Sequence, residues 1–417
     1  MKKLWTRDFS LLIIGTILGA AGGIAGSFAL SFLVFDETGS TLASALILAI
    51  QIVPAFFLPL IISPWMDRFP RKPFLVAGDY IDGVLFLLLG IYLSTRPFSY
   101  IGYLIFSLVI ACLNTFDQLA YDAIVPNLIT KGLENKGYAV TGMLYPVMKV
   151  IMTPLAAVLI DTVGTSGILM MQGVMSIAAA TAEVFIKVKE PPRERKAPFS
   201  FRTWAGDIKE ASLFLKKEKG LQNIYLYMGF TNGAANGYSP YMIAFFRTMP
   251  GFTIAMYSAF SVAEFAGRTI GGLLQYNYKF KPEKRFGFIF MVYQIYEIMD
   301  MILLWIPYPF MLVNRAICGF LGMNSATMRH SAVQTYIPDE MRARLNAFAQ
   351  MALTAFAFIM TLVMGALGDV FDRRVCMTIF AGLTLVFSWL TIGRAHKEVA
   401  EIYSYEAPED PDEKRSA

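Results

Sequence analysis

Charge is scarce in this sequence. Asp, Glu, Lys and Arg make up 16% of its 417 residues, against about 25% in soluble domains. So few ionic groups cannot solvate the surface of a chain in which 56% of residues are hydrophobic. Histidine is nearly missing: His330 and His396 stand alone, without the spacing of a Ser–His–Asp or zinc-ligand set, so neither an enzyme nor a metal site is expected. No cofactor is expected either. Cys112, Cys318 and Cys376 occur singly, with no C-x-x-C pair, and read as small core residues. No G-x-x-x-x-G-K-[ST] stretch occurs, which removes the phosphate-cradling loop of an ATP-driven machine.

What is abundant is apolar sequence in long blocks. Twelve are expected, at 9–35, 41–62, 74–94, 99–126, 138–162, 165–187, 221–246, 253–275, 286–306, 309–335, 345–369 and 375–393. Blocks of about 20 residues cross a hydrocarbon core of about 30 Å as helix. Backbone amides in lipid must be satisfied internally, so the expectation is an all-α, polytopic membrane protein. The first block follows Lys2, Lys3 and Arg7 in the manner of a signal peptide, but eleven more follow it, so it is read as a retained helix.

The basic residues are distributed unevenly. With loops assigned alternately to two sides, only Arg96, Arg247, Arg373 and Arg374 fall on the side opposite the termini, and Lys149, Arg268, Arg315 and Arg329 lie inside blocks. The rest share the side of both termini, which the positive-inside rule makes cytoplasmic. That places "SPWMDRFPRKP", residues 63–73, in a cytoplasmic turn. The positive-inside rule accounts for Arg68, Arg71 and Lys72 but not for Asp67, which suggests a latch that pairs with helix ends or charges of a neighbouring bundle.

Ionisable residues within spans are costly, and each asks for a reason. In "NTFDQLAYDAIVP", Asn114, Asp117, Gln118 and Tyr121 share one helical face, and Asp122 falls four after Gln118. Asp117 is a candidate proton carrier or cation-binding group; the alternative is a structural acid paired with Lys149. Glu264 and Arg268 have the spacing of a self-neutralising helical pair. Arg315 lies deep in its block, and an acid of the ninth block is its candidate partner. Arg329 and His330 lie near a cytoplasmic end, from which they can snorkel. Asp79 with Asp82, and Glu297 with Asp300, are acidic pairs at matching places in the third and ninth blocks, expected to support the bundle through salt bridges.

The first block carries a small-residue stripe, Gly15, Gly19, Gly22, Gly23 and Gly26, expected to be a sliding helix contact. "TNGAANGYSPY" puts Asn232 and Asn236 on one face, with Gly233, Gly237 and Pro240 loosening the helix; such segments often line transport cavities. Tyr121, Tyr145, Tyr238 and Tyr241 are the aromatic candidates for a cavity wall, suited to a large apolar or cationic ligand. Residues 188–220 read as a basic linker followed by an amphipathic helix on the cytoplasmic leaflet, with Trp204, Ile208, Ala211 and Leu215 on one face. An extension of the seventh block is the alternative. Residues 394–417 read as a disordered cytoplasmic tail.

The two halves repeat. "IVPNLITKGLENKGYAVTGM" with "AAVLIDTVG" corresponds to "IPDEMRARLNAFAQM" with "GALGDVFD", aligning Pro126 with Pro338 and Asp161 with Asp369. The chain therefore divides into a six-helix bundle over 1–187, the linker, and a second bundle over 221–393, with a site expected between repeats. The stretch at 63–73 resembles the G-x-x-x-D-R-x-G-R-[RK]-x loop motif of the major facilitator superfamily. Asp67, Arg68, Arg71 and Lys72 match, while Ser63 and Pro70 replace the glycines. "MTPLAAVLIDTVG" resembles the G-P-x-x-G-G segment of the antiporter branches at Pro154, with Thr153, Ala157 and Val158 in place of glycines. "YIPDEMRARLNAF" resembles a segment of the drug:proton antiporter branch that includes macrolide-efflux-type and siderophore-exporter-type proteins. Pro338, Glu340, Arg342 and Arg344 match, and Ala343 replaces a glycine.

The resemblance implies the major facilitator fold and places Asp67 near Arg342 or Arg344 in one alternating state. It also implies that the fourth span lines the cavity. The expected function is proton-coupled efflux of amphipathic or cationic small molecules; the alternatives are a lipid or lysolipid flippase or uptake facilitator without proton coupling, and a membrane sensor that moves nothing. Expected partners are a small-molecule substrate, protons and the lipid bilayer, not nucleic acid. The chain is expected to act as a monomer in a bacterial plasma membrane.

Overall fold

A computed structural model describes residues 3–66, 70–130, 133–187, 201–277 and 280–405. Every regular element among them is helical: α1 (Arg7–Thr38), α2 (Thr41–Met66), α3 (Lys72–Thr95), α4 (Tyr100–Leu128), α5 (Glu134–Val184), α6 (Phe201–Lys217), α7 (Lys219–Thr248), α8 (Ile254–Asn277), α9 (Pro282–Ile302), α10 (Tyr308–Tyr336), α11 (Asp339–Val370), α12 (Arg373–Ser388) and α13 (His396–Ser404). Local chemistry sets their ends. The Thr6 hydroxyl accepts from the Phe9 amide at 3.2 Å to start α1, and Gly39, at φ 64°, closes it in a left-handed turn that glycine adopts without strain. Asp372 caps α12 by accepting from the Arg374 and Val375 amides. Inside α5, Gly164 at φ 68°, ψ 173° breaks the helical path, at the point expected between the fifth and sixth blocks.

Eight of the described helical stretches are long and apolar enough to cross a membrane. Four of the expected twelve do not register separately. α5 runs through two of the blocks, and α7, α8 and α10 are diluted by Asn232 and Asn236, by Glu264 and Arg268, and by Asn314, Arg315 and Arg329. The outward faces fit a bilayer. Ile81, Val84, Leu88 and Ile91 of α3, and Ile101, Ile105 and Leu108 of α4, are exposed at helical spacing. An apolar stripe of that length in water would be a liability to aggregation; in lipid it costs nothing.

The helices form two compact units. The first comprises Met1–Phe199 with Met242–Ala259; the second comprises Ser200–Tyr241 with Phe260–Ala417. In the first unit α5 packs along α1 and α3, and α2 along α4. Two glycines permit the α3–α5 approach: a Cβ at Gly83 would lie 2.8 Å from the Gly173 carbonyl oxygen, and one at Gly173 would lie 2.6 Å from that of Gly83. In the second unit the core joins α6, α7, α9, α10, α11 and α13 through residues such as Leu215, Tyr227, Tyr293, Met328, Leu345 and Tyr403.

Two sequence expectations change here. α6 is a helix of its own, set off from α7 at Glu218, and Ala211 and Leu215 of its apolar face are buried in the second unit's core. That part of the face is covered by protein, not lipid; the Trp204 side chain lies outside the described residues. The expected tail also begins with structure: Val399, Ile402 and Tyr403 are buried on one face of α13, because their spacing makes an apolar stripe. Residues 406–417 lie outside the described residues.

Candidate functional site

The first unit encloses a cavity of about 640 Å³, within the range usual for small-molecule sites. Helices α1 to α5 supply its walls, with Ile243 from the end of α7. Four carboxylates face it: Asp79 and Asp82 from α3, Asp117 from α4 and Glu183 from the last turn of α5. Among the described residues, no Lys, Arg or His lines it.

Helical spacing delivers these groups. On α3, Leu75, Asp79, Asp82 and Phe86 repeat at three or four residues and turn inward, opposite the exposed Ile81, Val84 and Leu88. On α4 the predicted face arrives intact, with Asn114, Asp117, Gln118 and Tyr121 all on the wall. Asp122 lies off it and accepts from the Gln118 amide at 2.8 Å. The Thr16 hydroxyl donates to the Tyr121 hydroxyl at 3.5 Å, and Tyr145 of α5 completes this side.

Glycines let α5 bring its polar groups close to α1. A Cβ at Gly15 would lie 2.9 Å from Glu183 Oε1, and one at Gly26 would lie 1.7 Å from Gln172 Oε1. Gly19 and Gly23 have open space beside them and line the cavity. The expected single sliding stripe is thus divided: Gly15, Gly22 and Gly26 pack on α5, whereas Gly19 and Gly23 make room.

Hydrogen bonding on the walls is incomplete. Ser176 Oγ donates to Asp82 Oδ2 at 2.9 Å. Asp117 Oδ1, Glu183 Oε2 and Gln172 Oε1 are buried without a hydrogen-bond partner among the described residues. Buried polar atoms are normally paired, so orphans gathered on one cavity make it the candidate binding site.

Several sequence expectations resolve at this point. Lys149 is exposed and makes no ion pair with Asp117 among the described residues. Asp79 and Asp82 form no salt bridge among the described residues and belong to the cavity instead, because the polar side of α3 turns inward and its apolar side outward. Glu183, Gln172 and Ser107 were not singled out from the sequence. Glu183 sits in an Ala-rich stretch near the end of its block, where a lone acid looks like a boundary residue.

The second unit holds the other buried charges. Arg315 of α10 pairs with Asp300 of α9, the kind of partner read from the sequence. Rings of Phe260 and Tyr296 lie 5.6 and 6.0 Å from its guanidinium carbon. Glu297 is buried and accepts from the Thr231 hydroxyl at 3.1 Å. Arg268 and Glu264 pair at 2.8 Å along α8. Arg329 donates to the Tyr293 hydroxyl at 3.3 Å. The side-chain amides of Asn232 and Asn236 donate to carbonyls one turn back on α7, those of Met228 and Asn232. Tyr238 is buried with its hydroxyl unpartnered among the described residues, and the Tyr241 hydroxyl donates to the Met364 carbonyl.

Of the expected latch, Asp67 and Arg68 lie outside the described residues. Arg71 is the N-cap residue of α3, and Lys72 Nζ donates to the Val184 carbonyl at 2.6 Å, at the end of α5. Arg342 donates to the Ile337 carbonyl at 3.3 Å, and Arg344 pairs with Glu210 of α6 at 2.8 Å.

The family model described as Major Facilitator Superfamily matches residues 11–295. A protein of Bacillus subtilis (strain 168), described as an uncharacterized MFS-type transporter, YkuC, is 22% identical over 236 residues. The match spans 54% of this chain, and the same share of that protein, about half of each. Among solved structures, a mutant of the nucleoside transporter NupG is similar with TM-score 0.70 at 13% identity, covering 92% of this chain and 99% of that one. An auto-inhibited POT family peptide transporter gives TM-score 0.66 at 12% identity, covering 97% and 98%. A bacterial homologue of the human lysosomal transporter Spinster, inward-facing and unoccupied, gives 0.61 at 12%, covering 96% and 97%. At these identities the likeness concerns the fold.

Proposed function

Since this chain belongs to the Major Facilitator Superfamily, we propose that it is a membrane transporter, a proton-coupled exporter of amphipathic or cationic small molecules. In this reading it has twelve spans in two six-helix bundles, both termini in the cytoplasm of a bacterial cell, and acts as a monomer by alternating access. The observation that carries the proposal is the cavity wall: Asp79, Asp82, Asp117 and Glu183 face one space that no basic residue lines among the described residues.

Four carboxylates around one cavity attract cations and resist being ionised together. Protons and a cationic substrate are then alternative ways to neutralise the same walls. Asp117 is the central group. It sits mid-span on α4, lies beside Gly78 of α3 (a Cβ there would be 3.6 Å from Oδ1), and leaves that oxygen unpartnered. It takes up a proton when the cavity faces one side and releases it when the substrate enters from the other. Asn114, Gln118, Tyr121 and Tyr145 contact the substrate's polar parts and ring faces. The turn at 63–73, with Arg342 and Arg344, steadies one of the alternating states. One charge crossing the membrane potential gains about 2.3 kcal/mol per 100 mV, enough to drive export against a concentration gradient.

The test uses the purified chain in liposomes holding a pH-sensitive dye, challenged with cationic drugs, macrolides and lysolipids. Proton movement evoked by a cationic compound, and lost in Asp117→Asn, is the expected result. Compound movement with no proton movement, unchanged in that variant, overturns proton coupling and favours a facilitator or flippase.

A further inference from the structure

The carboxylates on the cavity are not equivalent. Asp82 accepts from Ser176 Oγ at 2.9 Å, a bond that compensates a charged oxygen. Asp117 Oδ1 and Glu183 Oε2 receive no such bond from the described residues. They stand on different helices, α4 and α5. The mechanism above moves a proton on Asp117 alone. Glu183 is the more enclosed of the two, with 3% of its surface exposed. Its side chain is pressed on α1, where a Cβ at Gly15 would lie 2.9 Å from Oε1 and 3.1 Å from Cγ. That contact leaves no room for a hydrated ion beside Oε1. Around Glu183, α1 supplies Gly15 and Thr16, α3 supplies Asp79, and α4 supplies Asp117 and Tyr121. Lys72 Nζ of α3 donates to the Val184 carbonyl, and Asp8 of α1 accepts from the Lys187 amide. Among the described residues, Glu183 makes no ion pair.

A carboxyl group shut off from water, with neither a donor nor a cation, is held there in its neutral form. One proton among the four acids leaves three negative charges on one cavity, and these repel one another. A second proton leaves the charge on Asp79 and Asp82, the two acids of α3, to meet a cationic substrate. We propose that Glu183 is a second proton carrier, so that two protons are exchanged for each substrate ion. This rests on the proton-coupled reading above and gives it a stoichiometry. Uptake forms an O–H bond between a carboxylate oxygen and a proton from water at the cavity's open side. Release breaks that bond, leaves the electron pair on oxygen and returns the proton to water on the other side. Two protons exchanged for one monovalent cation carry one net charge across per cycle, so the membrane potential drives the exchange. One proton for one cation carries none, and only a pH gradient drives it.

The experiment uses the full chain in liposomes with ethidium, a fixed monovalent cation, at equal concentration inside and out. A potassium gradient with valinomycin imposes a potential, negative inside, at equal pH. In wild type this potential drives protons in and ethidium out, at a ratio of about two to one. Ethidium then moves against its own attraction to the negative interior, which passive leakage cannot do. Glu183→Gln lowers the ratio to about one and removes the response to potential; the ethidium it still exports follows an imposed pH gradient. Glu183→Asp, which keeps a carboxyl group, restores the response to potential. A second measurement covers a variant that exports nothing. In nanodiscs without substrate, the infrared carbonyl band of neutral carboxylic acid is smaller in Glu183→Gln than in wild type. Wild type driven by a pH gradient but not by the potential, Glu183→Gln still driven by the potential, or a carboxylic-acid band unchanged by that substitution overturns the inference and leaves proton coupling standing. Ethidium movement without proton movement, or no ethidium movement by wild type, overturns the proton-coupled exporter reading itself.

Discussion

Asp117 and Lys149 are both charged residues within predicted spans, yet they have opposite surroundings. Asp117 faces a cavity with one oxygen unpartnered, and Lys149 is exposed. Asp117→Asn should therefore abolish substrate-driven proton movement in liposomes, while Lys149→Gln should leave it within about twofold of wild type; equal loss in both would restore the ion-pair alternative. Arg315 offers the converse case. It is buried against Asp300, so truncating one partner strands the other. Arg315→Met should lower stability by about 3–5 kcal/mol, read as a depressed unfolding temperature in detergent, and adding Asp300→Leu should restore much of the loss. The spacing of α4 was enough to read its polar face, and the depth of Arg315 was enough to require a partner. Glu183 and Gln172 were not legible, because their importance comes from α5 pressing them against glycines of α1. A sequence read one helix at a time does not show that contact.

At the scale of elements, small residues do two different jobs that composition does not separate. At Gly83 a Cβ would lie 2.6 Å from Ile177 Cγ1 and 2.8 Å from the Gly173 carbonyl, so the α3–α5 seam has no room. At Gly23 there is nothing within 4 Å. Gly83→Val should cost monodispersity and lower the unfolding temperature by several degrees, as overpacking of about 1–3 kcal/mol would. Gly23→Ala should leave both unchanged, since its methyl enters the cavity. The amphipathic patterns of α6 and α13 were legible as patterns, but what they pack on was not. An apolar stripe predicts that a face is covered, not whether lipid or protein covers it. In α6 the covered positions Ala211 and Leu215 meet the second unit's own core. In α13 Tyr403 is buried with its hydroxyl 3.2 Å from that of Tyr293.

For the molecule as a whole, the scarcity of charge and the long apolar blocks were sufficient for the class, whereas the bounds read from the repeat, 1–187 and 221–393, differ from those of the two compact units. The assignment of Met242–Ala259 to the first unit was not legible, because it depends on tertiary packing against α1 and α5. Two features fasten this segment. Tyr257 packs against Phe28, Phe32 and Phe246, with ring centroids 5.5–6.0 Å apart. Arg247 makes a two-pronged ion pair with Asp36 at the end of α1. Val34 and Ile243 line the cavity, and Asp36 and Arg247 lie about one turn or less beyond them, so the pair is placed just past the end of the cavity away from Glu183, where tying α1 to α7 would hold that end shut. Both side chains are partly exposed, at 39% and 30%. A pair of this kind is worth up to about 1 kcal/mol, or about a fivefold change in the population of the closed end. Arg247→Gln should accordingly speed labelling of a Gly23→Cys reporter several-fold by an impermeant thiol reagent added on the side of Arg247, in a chain whose Cys112, Cys318 and Cys376 are replaced by serine. The exchanged pair Asp36→Arg with Arg247→Asp should return labelling toward the starting rate. If the single variant leaves the rate unchanged, the aromatic cluster around Tyr257 holds that end shut by itself, and Tyr257→Ala should then be the change that opens it.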